Sequence, residues 1–445
     1  MRSSILIGLT TVAIFGCGSS TNNTFDTGEA GAETSAPVSC SSPADCPPDL
    51  PNCGADGTCN ADPVFPDASV DAAPACEGLK CNIVNCNNGN KTTLTGTVYD
   101  PAGHNPLYNV VVYVPNAPVD PIKHGPVCDS CGGANVSGKP IVTALTDAKG
   151  HFTLQDVPVG SSIPLVIQAG KWRRQVVVPN VPQCTTTPVA PALTRLPAKK
   201  SEGDMPLIAL AAGCDPIHTL VQKIGVDPSE ITDENGKGMV HVFAGKNNQN
   251  GGITTATDAY AFWGNKAKMM KYDIIINECE CSPYPRDSVG PGYTNMAAYL
   301  NAGGRVFASH YHLNFYGEVG KSDTSLQNAA TWTLWGGSST SSPYLIDTTF
   351  PKGKALDDWL FNLSQPGTLM GHGGGTYQSY WGPDVKTTPK GQIQTFNVGD
   401  IGGAKPGLSQ RWIYPQGGGS VSYISINMPT NVPADQRCRP RADCR

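Results

Sequence analysis

The spacing of apolar residues changes three times along the 445-residue chain. After an apolar run at residues 5–15, residues 18–90 have almost no apolar periodicity and are rich in Ser, Thr, Asp, Pro and Cys. Such a composition cannot bury enough apolar surface to form a core. We therefore expect a disordered, Cys- and Pro-rich stalk over residues 18–90.

Short alternating apolar runs separated by turn residues fill residues 92–197. Runs of this length, punctuated by Gly and Pro, predict an antiparallel β-sandwich. The predicted strands cover residues 94–99, 110–114, 141–146, 151–154, 163–168 and 175–178.

From residue 205 to residue 430, apolar runs alternate with segments of helical spacing. This alternation predicts a mainly parallel sheet with helices on both faces, which is a three-layer α/β domain. The fold class expected for the whole chain is multidomain, an antiparallel β-sandwich followed by this α/β domain. Predicted strands are 206–212, 238–244, 272–277, 305–309, 394–398, 411–414 and 421–426, and predicted helices are 215–224, 259–270, 293–301 and 355–363.

Length and composition limit the domain count and the possible functions of this chain. The length suggests two or three domains. Charged residues make up 15% of the chain and the net charge is −5, so there is no basic footprint for nucleic acid. The sixteen cysteines favour an exported protein, because disulfides form and persist outside the cytoplasm.

Residues 1–17 are typical of a lipoprotein signal peptide. Arg2 supplies the positive charge, and the apolar run at residues 5–15 is too short to span a bilayer, which needs about 20 residues. Ile14-Phe15-Gly16-Cys17 resembles a lipobox, so Cys17 would carry the lipid and bind the membrane. The absence of Asp in Gly18-Ser19-Ser20 resembles Gram-negative outer-membrane lipoproteins. An ordinary cleaved signal or a short anchor is the alternative.

Cysteine spacing in the stalk favours disulfides over zinc. The seven stalk cysteines lack the paired CxxC ligands of a zinc site. A CxxC does occur at Cys128 and Cys131, in a Pro/Gly-rich insertion where a local disulfide is expected rather than a redox centre. Beyond Cys17 fifteen cysteines remain, so at least one is unpaired, is bound to another group or has no role. The stalk cysteines are Cys40, Cys46, Cys53, Cys59, Cys76, Cys81 and Cys86.

The β-sandwich resembles a carboxypeptidase regulatory-like domain. The resemblance rests on Thr95-Gly96-Thr97-Val98, on Thr146-Asp147, and on Gly150, Phe152 and Val157-Pro158. It covers about 100 residues. In that family the module is usually a spacer or adhesive unit, so the resemblance implies no chemistry in residues 92–197.

Residues 235–340 resemble the class I glutamine amidotransferase-like fold, with the trehalose-utilisation family as the nearest branch. The resemblance rests on residues 272–278, on Gly303-Gly304 with the strand and His310 that follow, and on Leu334-Trp335-Gly336-Gly337. True amidotransferases carry a cysteine nucleophile after that strand. The corresponding position here is near His310 and has no cysteine, so thiol-based glutamine hydrolysis is not expected.

Candidate chemistry lies at the carboxyl ends of two predicted strands. Ligands of open parallel sheets bind outside such ends. If the strands are neighbours, Glu278 and Glu280 would converge with His310 and His312. This set would suit a divalent metal or general acid–base catalysis, and no other cofactor is expected. The alternative is that these histidines are structural residues. Successive side chains on an extended segment point to opposite sides, so only one of the two histidines would face the crevice.

Weaker candidates lie later in the chain. Residues 371–375 look like the HGGG of esterases, but no Gly-x-Ser-x-Gly accompanies them, so a surface loop is expected. The atypical tail at residues 431–445 suggests either a truncated last domain or an exposed tail closed by Cys438 and Cys444. Aromatic residues that could stack on sugars, or fill the core, are Trp332, Trp335, Tyr377, Tyr380, Trp381 and Trp412.

Two functions follow. The first is a non-catalytic surface lipoprotein of the outer membrane that binds a glycan or another envelope component. The second is an exported enzyme that acts on a carbohydrate-like substrate through His310 with Glu278 or Glu280. The lack of a nucleophile favours the first, and a resemblance in fold does not establish either.

Overall fold

A computed structural model describes much of the chain between residues 38 and 426. The described residues are 38–48, 50, 52–53, 57–60, 76–127, 136–214, 217–280, 289–332, 344–364, 386–387, 392–394, 401–405, 408–415 and 423–426. The chain divides into two compact units, residues 1–75 and 76–445.

In the first unit, two overlapping disulfides hold a short hairpin. Strand β1 (Asn52–Cys53) pairs antiparallel with β2 (Cys59–Asn60). The disulfides are Cys40–Cys53 and Cys46–Cys59. Sulfur atoms of three of these cysteines lie within 4.8 Å of one another, but disulfide sulfurs are not the thiolates that bind metal. The disulfides expected in this part of the stalk are present.

In the second unit, seven strands form a β-sandwich. One sheet has the order β6-β3-β9 and the other has the order β5-β4-β7-β8. Leu94, Val112 and Ile167 are among the fully buried side chains between them. In β6, buried Phe152 and Leu154 alternate with exposed residues, as the period of two requires. The strands are β3 (Thr93–Thr97), β4 (Val111–Pro115), β5 (Pro140–Leu145), β6 (His151–Gln155), β7 (Gly160–Ala169), β8 (Trp172–Val181) and β9 (Thr186–Pro188).

Two further disulfides lie at the start of this unit. Cys76–Cys81 closes a short loop, and Cys86–Cys184 joins residues 98 positions apart. The second disulfide ties the end of the predicted stalk to the chain between β8 and β9.

A five-stranded parallel sheet follows, with the order β11-β12-β10-β13-β14. All four pairs of neighbouring strands are parallel. The strands are β10 (Ile208–Ala212), β11 (Ile231–Thr232), β12 (Val240–Ala244), β13 (Ile274–Asn277) and β14 (Arg305–Ala308), and the helices are α1 (Ile217–Lys223), α2 (Ala259–Trp263), α3 (Lys266–Met269) and α4 (Gly292–Asn301).

The helix predicted over residues 259–270 is two helices. Asn265 interrupts it because its side chain accepts a hydrogen bond from the Lys268 N–H and begins α3. Helix α4 ends before Gly303, whose φ is +93°. A Cβ on Gly304 would lie 2.2 Å from the Tyr299 ring, which explains why glycine occupies that position.

Helices cover both faces of the parallel sheet. Val221 of α1 packs with Leu210 and Val242 on one face. On the other face, Phe262 and Met296 of α2 and α4 pack with a second core cluster. The chain therefore leaves β10 and its neighbour β13 toward opposite faces.

A buried ion pair joins the sandwich to the parallel sheet. Lys171, in the turn after β7, lies 2.6 Å from Asp273, which precedes β13. His124 Nδ1 lies 2.7 Å from the same carboxylate. The backbone N–H groups of Gly125 and Leu207 also donate to Asp273. Burial raises the pKa of Asp273, but the hydrogen bonds from His124, Lys171 and Leu207 outweigh this effect. The pKa is lowered on balance, so the carboxyl stays ionised.

The remaining described elements lie outside the parallel sheet. Strands β15 and β19 pair with each other, and the antiparallel order β17-β18-β16-β20-β21 forms a separate sheet beside α7. The elements are α5 (Asn314–Gly317), α6 (Thr324–Gln327), β15 (Ala330–Trp332), β16 (Tyr344–Ile346), α7 (Pro351–Ser364), β17 (Lys386–Thr387), β18 (Gln392–Gln394), β19 (Ile401–Ala404), β20 (Ser409–Pro415) and β21 (Tyr423–Ile426).

The layout is β-rich first and then α/β, as the sequence predicts. The predicted strands at 411–414 and 421–426 correspond to β20 and β21, which belong to the antiparallel sheet. Residues 395–398 of another predicted strand lie outside the described residues. Among the described helices, none has both the length and the apolar character needed to cross a membrane.

Candidate functional site

The sheet topology marks one crevice, between the carboxyl ends of β10 and β13. These strands are neighbours and their following segments leave toward opposite faces, which is where open α/β sheets bind ligands. Glu278 follows β13 directly and Gly213 follows β10. The chemistry of the crevice therefore depends on what these residues contact.

The Glu278 carboxylate fills this crevice. Its side chain is fully buried, and its two oxygens accept hydrogen bonds from the backbone N–H groups of Gly213, at 2.7 Å, and His218. The His218 ring nitrogen Nδ1 lies 3.0 Å from Oε1. Burial raises the pKa of Glu278, and the Gly213 amide and His218 partly oppose that change. A Cβ at Gly213 would lie 2.2 Å from the Cys279 carbonyl oxygen, so this approach requires glycine.

His218 is the site residue that the sequence analysis missed. It lies in the first turn of α1, and about a fifth of its side chain is exposed. Glu278 holds Nδ1, which leaves Nε2 as the ring nitrogen that can meet a ligand. Gly251 packs on the ring, since a Cβ there would lie 3.3 Å from Cγ. The available signal was the predicted helix start at 215–216, directly after a predicted strand.

Glu280 is buried in a different environment. The Tyr260 hydroxyl donates to Oε2 over 3.0 Å, whereas Oε1 has no hydrogen-bond partner. Burial raises the pKa of Glu280 to about 7, although Tyr260 and the Lys246 amide lower it. Glu280 therefore changes charge near neutral pH.

His312 is a structural residue. It is completely buried, and Nε2 lies 2.6 Å from the Glu278 carbonyl oxygen, to which it donates. Its ring contacts Trp263 and stacks on Phe315. Burial lowers the pKa of His312 to about 3, so the imidazole is neutral.

The segment that follows β14 is not extended. It turns at once into a 3₁₀ helix, His310–Leu313, because Ser309 N–H bonds the Asn277 carbonyl and His312 N–H bonds the Ser309 carbonyl. His310 and His312 therefore do not alternate between the two sides of an extended strand. The side chain of His310 lies outside the described residues.

The structure brings the predicted residues together only in part. Glu278 and Glu280 contact groups that follow β10 and β12, whereas His312 bonds the backbone carbonyl of Glu278 and not its carboxylate. Among the described residues, the strand ends hold no group of three His, Cys, Asp or Glu side chains spaced for a metal ion. Cys279 is a buried thiol, and the neighbouring Cys214 is disulfide-bonded.

Several residues singled out in the sequence lie outside the described residues. These are Cys17, the Cys128–Cys131 pair, residues 371–375 and the tail at 431–445, together with Trp335, Tyr377, Tyr380 and Trp381. Two of the aromatic candidates are described. Trp332 donates to the Gln327 carbonyl and Trp412 donates to Ser425, which favours packing roles for both.

Replacing His312 with Ala is expected to destabilise the protein by about 1–3 kcal/mol, because the buried Glu278 carbonyl loses its donor. Thermal unfolding with matched chemical denaturation measures the loss. His151→Ala is the control, since His151 is exposed on β6. Equal unfolding free energies for wild type and His312→Ala would contradict the structural role.

No protein-family model matches this chain, and no curated protein matches it. Among solved structures, a type II cohesin–X-dockerin complex from Acetivibrio cellulolyticus, mutated at its C-terminal interface, is 13% identical, with 32% of this chain and 75% of that chain covered and a TM-score of 0.15. A second such complex, mutated at its N-terminal interface, is 12% identical, with 34% and 88% covered and a TM-score of 0.16.

Proposed function

We propose that this protein is a surface lipoprotein, anchored in the cell envelope through Cys17, whose folded part is a non-catalytic binding or structural module. In this proposal residues 92–197 are a carboxypeptidase regulatory-like spacer, and residues 205–430 include an amidotransferase-like domain. A glycan or another envelope component is the proposed partner, and the outer membrane is the proposed location.

Disulfides support the export step of the proposal. The described residues contain four disulfides, and Cys214 takes part in a further one. Disulfides persist in oxidising compartments such as the periplasm and the cell surface. This agrees with the signal peptide proposed for residues 1–17.

The filled crevice is the observation that supports a non-catalytic role. At the position where α/β proteins bind their ligands, the Glu278 carboxylate already accepts hydrogen bonds from two backbone N–H groups. It is also within hydrogen-bond distance of the His218 ring. A substrate anion would have to displace a buried carboxylate that is already bonded. His312 is neutral and bonded to a backbone carbonyl, so it offers no proton transfer at neutral pH.

Membrane fractionation of the full chain tests the anchor. In a Gram-negative host, the wild type is expected in the membrane fraction with an acyl label, and Cys17→Ser is expected to lose the label and leave that fraction or accumulate as precursor. The matched control replaces Cys76 and Cys81 together with Ser, since it removes two cysteines far from the lipobox and leaves neither unpaired. Equal fractionation and labelling of Cys17→Ser and wild type would contradict the proposal.

One observation favours the enzyme alternative. His218 is held through Nδ1 by a buried carboxylate and is partly exposed, which is the arrangement of an oriented general base. A glycan-binding array and a glycosidase panel with wild type and His218→Ala separate the two functions. Glycan binding without turnover, in both wild type and His218→Ala, supports the proposal. Turnover that is lost in His218→Ala and kept in His151→Ala supports the enzyme alternative.

A further inference from the structure

Three buried carboxylates flank β13 and differ in how many donors they have. Asp273 accepts from Lys171, His124 and two backbone N–H groups. Glu278 has two backbone N–H groups and a histidine. Glu280 has the fewest donors, the Tyr260 hydroxyl at Oε2 and the Lys246 amide. A buried carboxylate without sufficient donors is unfavourable when it is charged.

The surroundings of Glu280 leave little room for a compensating group. It is 2% exposed, and a Cβ on Gly245 would lie 3.0 Å from Oε1 and 2.1 Å from the Ala212 carbonyl oxygen. The charged and titratable groups that face it are Tyr260 and Asp258 of the α2 segment and Lys246 of the loop after β12. Burial and Asp258 raise the pKa of Glu280, and Tyr260 and Lys246 lower it, with the result at about 7.

The loop that Glu280 contacts also covers His218. This loop, residues 245–252, is closed by the bond from Gly245 N–H to the Gln249 carbonyl. Asn247 and Asn248 both have φ of 58°, in the left-handed region, which asparagine adopts more readily than most residues other than glycine. Gly251 packs on the His218 ring. The loop therefore contacts Glu280 near one end and His218 near the other.

We propose that Glu280 is a proton-operated latch: while it is neutral and buried, loop 245–252 stays closed over His218, and when it ionises it turns toward water and the loop opens. The proton leaves to solvent and no bond to another group forms. The latch controls access to the crevice whether or not the crevice binds the partner proposed above.

The sign of the pH dependence follows from proton linkage. The closed state holds the proton up to about pH 7, whereas a solvated glutamate releases it near pH 4.3. Between these values the closed state binds more protons than the open state. The open population is therefore expected to rise about tenfold per pH unit from about pH 5 to pH 7 and to level off above pH 7.

Hydrogen exchange of the full chain measures the latch. Protection of the amides in residues 245–252, corrected for the intrinsic pH dependence of exchange, is expected to fall about tenfold per unit between pH 5 and pH 7 in wild type. Glu280→Gln, which cannot ionise, is expected to keep protection level across this range. Glu234→Gln is the matched control, because Glu234 is paired with Lys268, and it is expected to retain the fall.

A second variant keeps the test decisive if Glu280→Gln does not fold. Tyr260→Phe removes the donor to Oε2, so the fall in protection is expected to continue above pH 7. The proposal is overturned if wild-type protection does not change with pH, or if Glu280→Gln retains the fall. It is also overturned if added Ca²⁺ or Zn²⁺ at constant pH restores protection in wild type and not in Glu280→Gln, because Glu280 would then bind a cation.

Discussion

Replacing Asp273 with Ala is expected to destabilise the second unit by about 3–5 kcal/mol, because it leaves the Lys171 ammonium buried without its counter-charge. Lys171 is only 7% exposed and Asp273 only 3%. The change also removes the acceptor of the His124 ring and of the Gly125 and Leu207 N–H groups. These bonds join the sandwich to the sheet, so both are expected to lose stability together.

Denaturant titrations followed by tryptophan fluorescence measure this loss. The control is Asp358→Ala, which removes an exposed pair with Lys354 and is expected to cost less than about 1 kcal/mol. The double variant Lys171→Met with Asp273→Leu is expected to recover part of the loss, since no unpaired charge remains. A loss for Asp273→Ala no larger than for Asp358→Ala would show that the buried pair does not stabilise this junction.

The order of the elements could be predicted from local sequence pattern. Strand β6 was predicted from the alternation of apolar and polar residues at 151–154, and β13 from the apolar run at 272–277. Both patterns indicate directly which side chains are buried. The break between α2 and α3 was missed, because a cap at Asn265 depends on one side-chain bond. The antiparallel sheet of β16, β17, β18, β20 and β21 was also missed, since strand pattern does not reveal which sheet a strand joins.

The candidate site was predicted in position but not in its contacts. Glu278 and Glu280 lie at the strand ends, as strand periodicity indicated. The partner of Glu278 is His218, 60 residues earlier, and no local pattern links the two. The contacts of His312 could not be predicted, because the turn into a 3₁₀ helix depends on backbone bonds between Ser309 and the neighbouring strand. Long-range contacts of this kind follow only from the sheet order.

The stalk cysteines illustrate the same limit. Their spacing predicted short-range disulfides, and three of the four described disulfides lie within the stalk. Cys86 differs, because its partner Cys184 is 98 residues away in the sandwich. Spacing alone gives no information about such a pairing.

Removing the Cys86–Cys184 disulfide by replacing both cysteines with Ser is expected to destabilise the second unit by about 4–5 kcal/mol, because the bond closes a long loop and restricts the unfolded chain.

The matched control replaces Cys76 and Cys81 with Ser. That bond spans five positions, so its loss is expected to cost about 2 kcal/mol. Each pair is removed together so that no new thiol can mispair. Denaturant titrations of the oxidised proteins give both values, and the difference between them is the informative quantity, since each variant loses one disulfide of the same unit. Equal losses would mean that chain entropy is not what Cys86–Cys184 contributes, and that local packing at the start of the sandwich accounts for its effect.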